Sequence, residues 1–211
     1  MEEYADRSKR FHFKDREEVT YTEKDAIREL HGRKNIQPHA WNKLYRRCLF
    51  EDSMFVRDSL LGEDYGMLIE LFQRANKIVQ TDRTYYHYVL RQGSSLDIGF
   101  STFYQKGYYY YQKYEQRLLA QYPEYQKEIR SYHLIEQMAI VVSMFKNNSY
   151  DHVIRKEVIK RVRKSLGLLV FGKNIAWKFR ISAIAISVHY KILKNGYLLV
   201  YRKQRKSRKS F

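Results

Sequence analysis

Phe103-Tyr-Gln-Lys-Gly-Tyr-Tyr-Tyr-Tyr-Gln-Lys-Tyr-Glu-Gln-Arg-Leu-Leu-Ala-Gln121, followed across Pro123 by Glu124-Tyr-Gln-Lys-Glu-Ile-Arg-Ser-Tyr-His-Leu-Ile-Glu-Gln-Met-Ala-Ile-Val-Val-Ser-Met-Phe145, gives the chain its predominant character. Both halves are patterned as helices, and the proline marks the break between them. A further helix is expected over about His152–Leu166. The tyrosines at 108–111 would cover every face of a helix, so some of those rings must be exposed or lie in an interface.

Upstream of this stretch the signals are shorter. Thr22-Glu-Lys-Asp25 has the form of a capping box, with Asp in the third-position place of Glu, and opens a helix to about Leu30 that Gly32 ends. After Pro38, Trp41, Leu44, Tyr45 and Cys48 recur at helical spacing, with Lys43, Arg46 and Arg47 on the other side, which predicts a helix over Ala40–Phe50. Gly62-Glu-Asp-Tyr65 leads into an apolar helix to Ala75, with Glu63 and Asp64 at the start, where the helix dipole favours carboxylates. Lys77–Thr81 and Thr84–Leu90 are strand candidates, rich in β-branched and aromatic residues, and Gly93-Ser-Ser95 is a turn. Residues 1–20 are charged and carry little periodicity, as a loop or a fragment of a larger element would.

The length of 211 residues and a hydrophobic share of 44% give room for one or two domains with a real core. Nine glycines and two prolines exclude a collagen-like or low-complexity chain. The single cysteine, Cys48, excludes an intrachain disulfide and fits a reducing compartment. No apolar run approaches the roughly 18 residues of a membrane-spanning helix. The acidic, polar start has no signal-peptide form.

Charge divides the chain. Lys and Arg number 40 against 23 Asp and Glu, for a net +17. Residues 152–211 hold 17 of the basic residues and one acid, Glu157, while residues 1–151 hold 23 basic and 22 acidic. In the basic region apolar runs alternate with cations, and Trp177-Lys178-Phe179-Arg180 suits a membrane headgroup layer, where rings bury and charges stay wet. Solvated basic helices with a tail are the plainer reading. Nucleic-acid binding is the weaker one, since a phosphate-binding face does not need long aliphatic runs.

Motifs for chemistry are sparse. The seven histidines lack short paired spacing, one cysteine builds no zinc cluster, and the sequence has neither a glycine-rich phosphate loop nor a G-x-S-x-G elbow. His87, among tyrosines, suits a packed, hydrogen-bonded role. Glu63-Asp64, at a loop-to-helix junction after Gly62, is either an ordinary acidic helix start or a carboxylate pair aimed into a cleft. Trp41 is either core or a platform for a sugar face.

Three segments, in order, resemble bacterial family-2 glycosyltransferases. They are Trp41-Asn-Lys43-Leu-Tyr45, then Gly62-Glu-Asp-Tyr65 with the helix after it and Ala75-Asn-Lys-Ile-Val79, then Tyr85-Tyr-His-Tyr88 with Arg91-Gln-Gly-Ser94. The resemblance implies an α/β fold, a partial GT-A (Rossmann-like) domain, followed by a mostly α-helical C-terminal region. The divisions would be residues 1–100 for the acceptor-side part, 101–151 for a helical extension and 152–211 for basic, membrane-facing helices and tail. It also implies transfer of a sugar, with inversion, from a nucleotide-sugar donor to a glycan or lipid-linked acceptor in cell-surface polysaccharide assembly. Asp64 would be the general base with Glu63 beside it. Trp41 would line the acceptor site, and Lys43, Tyr88, Arg91 and Ser94 would lie near the acceptor or the diphosphate. The family's divalent metal (Mg or Mn) is held by an Asp-x-Asp motif that this sequence lacks, its nearest approach being Asp15-Arg-Glu17. The chain is therefore expected to start downstream of that motif, as a C-terminal portion lacking the nucleotide-binding half. It is also expected to sit in the cytoplasm, peripheral to the inner face of the plasma membrane, with residues 152–211 on anionic lipid. The alternative is a non-catalytic helical protein that binds anionic membrane or nucleic acid through that basic region.

Overall fold

Local side-chain chemistry sets the first helix. The Thr22 hydroxyl accepts from the Asp25 backbone N–H at 3.2 Å and donates to Asp25 Oδ2 at 2.7 Å, so Thr22 caps the helix as expected and α1 runs Glu23–His31. Its buried face, Ala26, Ile27, Leu30 and His31, follows the helical period. Gly32 ends α1 in a right-handed conformation, and the left-handed position falls to the next residue, Arg33, at φ 52°. Arg33 is held there by an ion pair with Glu136 and by the Tyr132 and Phe179 rings under its guanidinium.

The computed structural model describes residues 2–3, 9–10, 18–33, 35–51, 60–81 and 99–207. Across them the fold is mostly helical. Strands are confined to two antiparallel pairs. β1 (Glu2–Glu3) lies against β2 (Lys9–Arg10), and β3 (Val19–Tyr21) against β4 (Ile78–Gln80) with Thr20 opposite Val79. The strand expected at Lys77–Thr81 is thus present as β4. The one expected at Thr84–Leu90 and the turn at Gly93–Ser95 lie outside the described residues. No parallel, Rossmann-like sheet is found among the described residues.

The expected break at Pro123 is real. α2 runs Glu63–Arg74, α3 Thr102–Gln121 and α4 Gln126–Asn147, with a single 3₁₀ turn, Pro123–Tyr125, between α3 and α4. α4 is the hub. It packs on α1, α3, α5 (His152–Lys164), α6 (Leu166–Phe171) and α8 (Tyr190–Ser207). Hence it is buried on nearly all sides, from Ile129 through Phe145. α7 (Trp177–Val188) closes the far side against α5, α6 and α8. One continuous apolar cluster runs from Tyr21 on β3 to Leu193 on α8, so residues on both sides of the expected division at 151 share a core.

The tyrosine run resolves by face. Tyr108 and Tyr111 are buried, Tyr110 is half-buried and Tyr109 is exposed. Glycines make room for the inward rings. A Cβ on Gly66 would stand 1.9 Å from the Tyr110 hydroxyl, and one on Gly62, which is left-handed at φ 93°, 2.8 Å from the Tyr111 ring. In return Gly107 of α3 admits Leu61, whose backbone oxygen would be 2.7 Å from an added Cβ. This interlock of small and large residues fixes where α2 begins, and so where Glu63 and Asp64 stand.

One helix expected from spacing does not form. Ala40–Phe50 is an irregular loop with a single 3₁₀ turn at Arg47–Leu49; Leu44 is fully exposed and Cys48 exposed. Of the residues expected on one apolar stripe, Tyr45 alone packs against the core. The segment's backbone polar groups are claimed instead by side chains of the loop and of α2.

Candidate functional site

The loop 36–50 folds over the N-terminus of α2. Asp64 Oδ2 accepts from the Ala40 backbone N–H at 3.1 Å, and the Ala40 carbonyl accepts from the Tyr45 hydroxyl at 3.2 Å. The Lys43 ammonium donates to the Gln37 carbonyl at 2.8 Å, the His39 carbonyl at 2.7 Å and Asn42 Oδ1 at 2.6 Å. Those bonds use all three of its N–H groups, so Lys43 organises its own loop. Burial pulls the Lys43 ammonium down to about 8, opposed by the negative charge of Asp64. Burial and the same carboxylate push the Tyr45 phenol well above its ordinary range. His39 is held below the ordinary histidine value, first by burial and then by Lys43.

Trp41 is exposed, at 36%, and its ring stacks on His39 with centroids 5.2 Å apart and planes 15° from parallel. It is therefore not a core tryptophan. Glu63 is exposed, and its Oε2 accepts a long, 3.5 Å bond from the Leu60 N–H. Asp64 is half-buried, and among the described residues only its Oδ2 is engaged. The structure thus gathers Asp64, Lys43 and Trp41 of the residues singled out from the sequence, with Glu63 at the rim. Tyr88, Arg91 and Ser94 lie outside the described residues. His39 and Tyr45 join the site without having been singled out, although both lie in the segment that carries Trp41.

Behind the site, Tyr65 anchors α2 in the core. His31 Nδ1 bonds the Ile27 carbonyl at 2.7 Å; a carbonyl only accepts, so the proton is on Nδ1 and Nε2 is a lone pair. Tyr65 O–H then donates to His31 Nε2 at 2.8 Å, and its oxygen accepts from His133 Nε2–H at 2.9 Å. That order leaves His133 Nδ1 bare, and it has no hydrogen-bond partner. Burial lowers His31 to about 4 and His133 well below the ordinary value. Both imidazoles are neutral at pH 7.

No family model, curated protein or solved structure matches this chain. The divalent metal that the glycosyltransferase resemblance implies would be held by an Asp-x-Asp motif. The sequence has no Asp-x-Asp, and among the described residues no three His, Cys, Asp or Glu side chains gather as a metal-binding group. Asp64 already spends one oxygen on Ala40.

Proposed function

We propose that the chain is the acceptor side of an inverting glycosyltransferase of the family-2 type, with the carboxylate of Asp64 as general base. The observation that carries this reading is the seating of the Trp41 loop on the Asp64 carboxylate: the half-buried carboxylate at the α2 N-terminus accepts from the Ala40 N–H, one residue before an exposed indole. A carboxylate and an aromatic platform are what a sugar hydroxyl needs, one to take its proton and one to cover an apolar sugar face. In the step, Asp64 removes the proton of the acceptor hydroxyl. The freed oxygen forms its bond to the anomeric carbon as the bond to the nucleoside diphosphate breaks, and the proton remains on the carboxyl. Asp64 Oδ1 is the oxygen left for this, since Oδ2 holds the loop in place. Lys43 keeps the loop closed and adds positive charge nearby. A glycan or lipid-linked acceptor lies at a membrane, and the basic helices supply attraction to that surface. No helix among the described residues is long and apolar enough to cross a membrane.

Acceptor binding can be read from Trp41 itself. The chain has two tryptophans, so Trp177→Phe leaves Trp41 as the sole indole. Titration with a panel of methyl glycosides and short oligosaccharides should give a saturable change in emission for at least one sugar class. Asp64→Ala, which frees Ala40, should weaken that binding about tenfold, the scale of one charge-assisted hydrogen bond. Emission that stays flat with every sugar removes the acceptor site from this loop.

A further inference from the structure

α7 is apolar on two opposite faces, and only one is used by the fold. Ala183 and Ile186 are buried, and Phe179 packs against the core. On the other side stand Trp177 at 74% exposure, Ile181 at 56%, Ile184 at 45% and Val188 at 63%. At about 100° per residue, these four fall within about 60° of one another around the helix. They form one stripe along all three turns. Phe171 at the end of α6 and Ile192 at the start of α8, on the two helices that flank α7, are also exposed, at 83% and 51%.

The helix is held in that orientation. Arg180 donates to the Val170 carbonyl at 2.7 Å, the Ile175 carbonyl at 2.9 Å and the Gly172 carbonyl at 3.1 Å, which locks the α6–α7 corner. At the other end Arg163 donates to the Ser187 carbonyl at 2.8 Å. The two arginines are thus structural, and of Trp177-Lys178-Phe179-Arg180 only Trp177 and Lys178 face outward. Lys164, Lys173, Lys178 and Lys191 are exposed on the elements around the stripe. No acidic residue follows Glu157 in the sequence.

We propose that this stripe docks on an anionic lipid surface, with α7 lying in the plane of the headgroups and Trp177, Ile181, Ile184 and Val188 inserted. This deepens the peripheral-membrane reading and rests on it, not on sugar transfer. Charge selects the occupant. A second copy would set two cationic surfaces face to face, each from a region with 17 basic residues and one acid. Nucleic acid would answer the charge but leave the apolar stripe in water. An anionic bilayer satisfies both, burying the side chains while its headgroups meet the lysines.

The test uses the full chain with Trp41→Phe, so that Trp177 is the sole indole. With phosphatidylcholine vesicles containing phosphatidylglycerol, Trp177 emission should shift to the blue and be quenched by lipids brominated in the acyl chains. Ile181→Asp with Ile184→Asp should weaken partitioning at least about tenfold, because buried apolar area supplies the salt-resistant part of binding. Both positions are exposed, so circular dichroism should be unchanged. Co-sedimentation with vesicles without a Trp177 shift would overturn the stripe while leaving peripheral binding through another surface. No co-sedimentation at physiological salt would overturn both. Dimerisation that the two Asp substitutions abolish, with no vesicle effect, would make a second copy the occupant and overturn the lipid assignment.

Discussion

Acidification from pH 7.5 to pH 5 should strip a large part of this protein's stability while most of its carboxylates are still ionised. The cause is the buried pair His31 and His133, joined through the Tyr65 hydroxyl. His31 is lowered from 6.5 to about 4 by burial, with Arg33 adding to the effect. Between those values the unfolded chain takes up a proton that the folded chain refuses, so the unfolded state binds more protons and stability falls as pH falls. His31 alone then costs about 2 kcal/mol by pH 5 and about 3 kcal/mol by pH 4. His133 shifts in the same direction, from burial first, then from His31 and from the charge of Arg161, and adds to the loss. The neighbouring acids do not relieve either ring, since Glu136 is paired with Arg33 and Glu115 with Arg161. Urea unfolding at half-unit pH steps measures this directly. Stability that is level from pH 6.5 to 5 would mean the two imidazoles are not buried as a neutral pair.

Arg161→Met should be among the most destabilising single substitutions in the chain. Arg161 Nη2 reaches both carboxylate oxygens of Glu115, at 2.7 and 2.6 Å, while its Nη1 donates to Gln137 Oε1 at 2.9 Å. Glu115 is 4% exposed, and burial already raises its carboxyl above the ordinary value despite the arginine. Removing the cation leaves a buried carboxylate without a partner, at a cost of about 3–5 kcal/mol. Arg161→Met combined with Glu115→Gln should recover most of that loss, because the charge that needed the arginine is gone. Denaturant midpoints for the two singles and the double close this cycle. A single substitution costing less than about 1 kcal/mol would show that Glu115 is not isolated from water.

Local signals carried the helices well, and each success has a local cause. Thr22 caps α1 through a bond within the same turn, and Pro123 interrupts α3 and α4 wherever the rest of the chain lies. The failure at Ala40–Phe50 has a tertiary cause. Asp64, from another element, ties down the Ala40 N–H, while the Lys43 ammonium and the Tyr45 hydroxyl take the His39 and Ala40 carbonyls, the acceptors that a first helical turn would have used. The site was legible only as separate residues. Glu63-Asp64 showed its helix-start position, but nothing local shows that the Trp41 segment closes over it. The Tyr65 network was hidden for a similar reason, since His31 and His133 meet only in space. α7 hides its second face differently, because a helix that is apolar on opposite sides loses the single stripe by which burial is usually read.

The most direct measurement is glycan labelling from nucleotide sugar in host cells that carry either the native gene or Asp64→Asn. Asparagine keeps an oxygen to accept the Ala40 N–H, so loop and fold persist while the base is lost. With protein levels equal, the general-base assignment requires label in the lipid-linked or surface-glycan fraction to fall at least about 100-fold. Equal labelling by the two strains would contradict it, and Asp64 would then be an acidic helix start that holds a loop and nothing more.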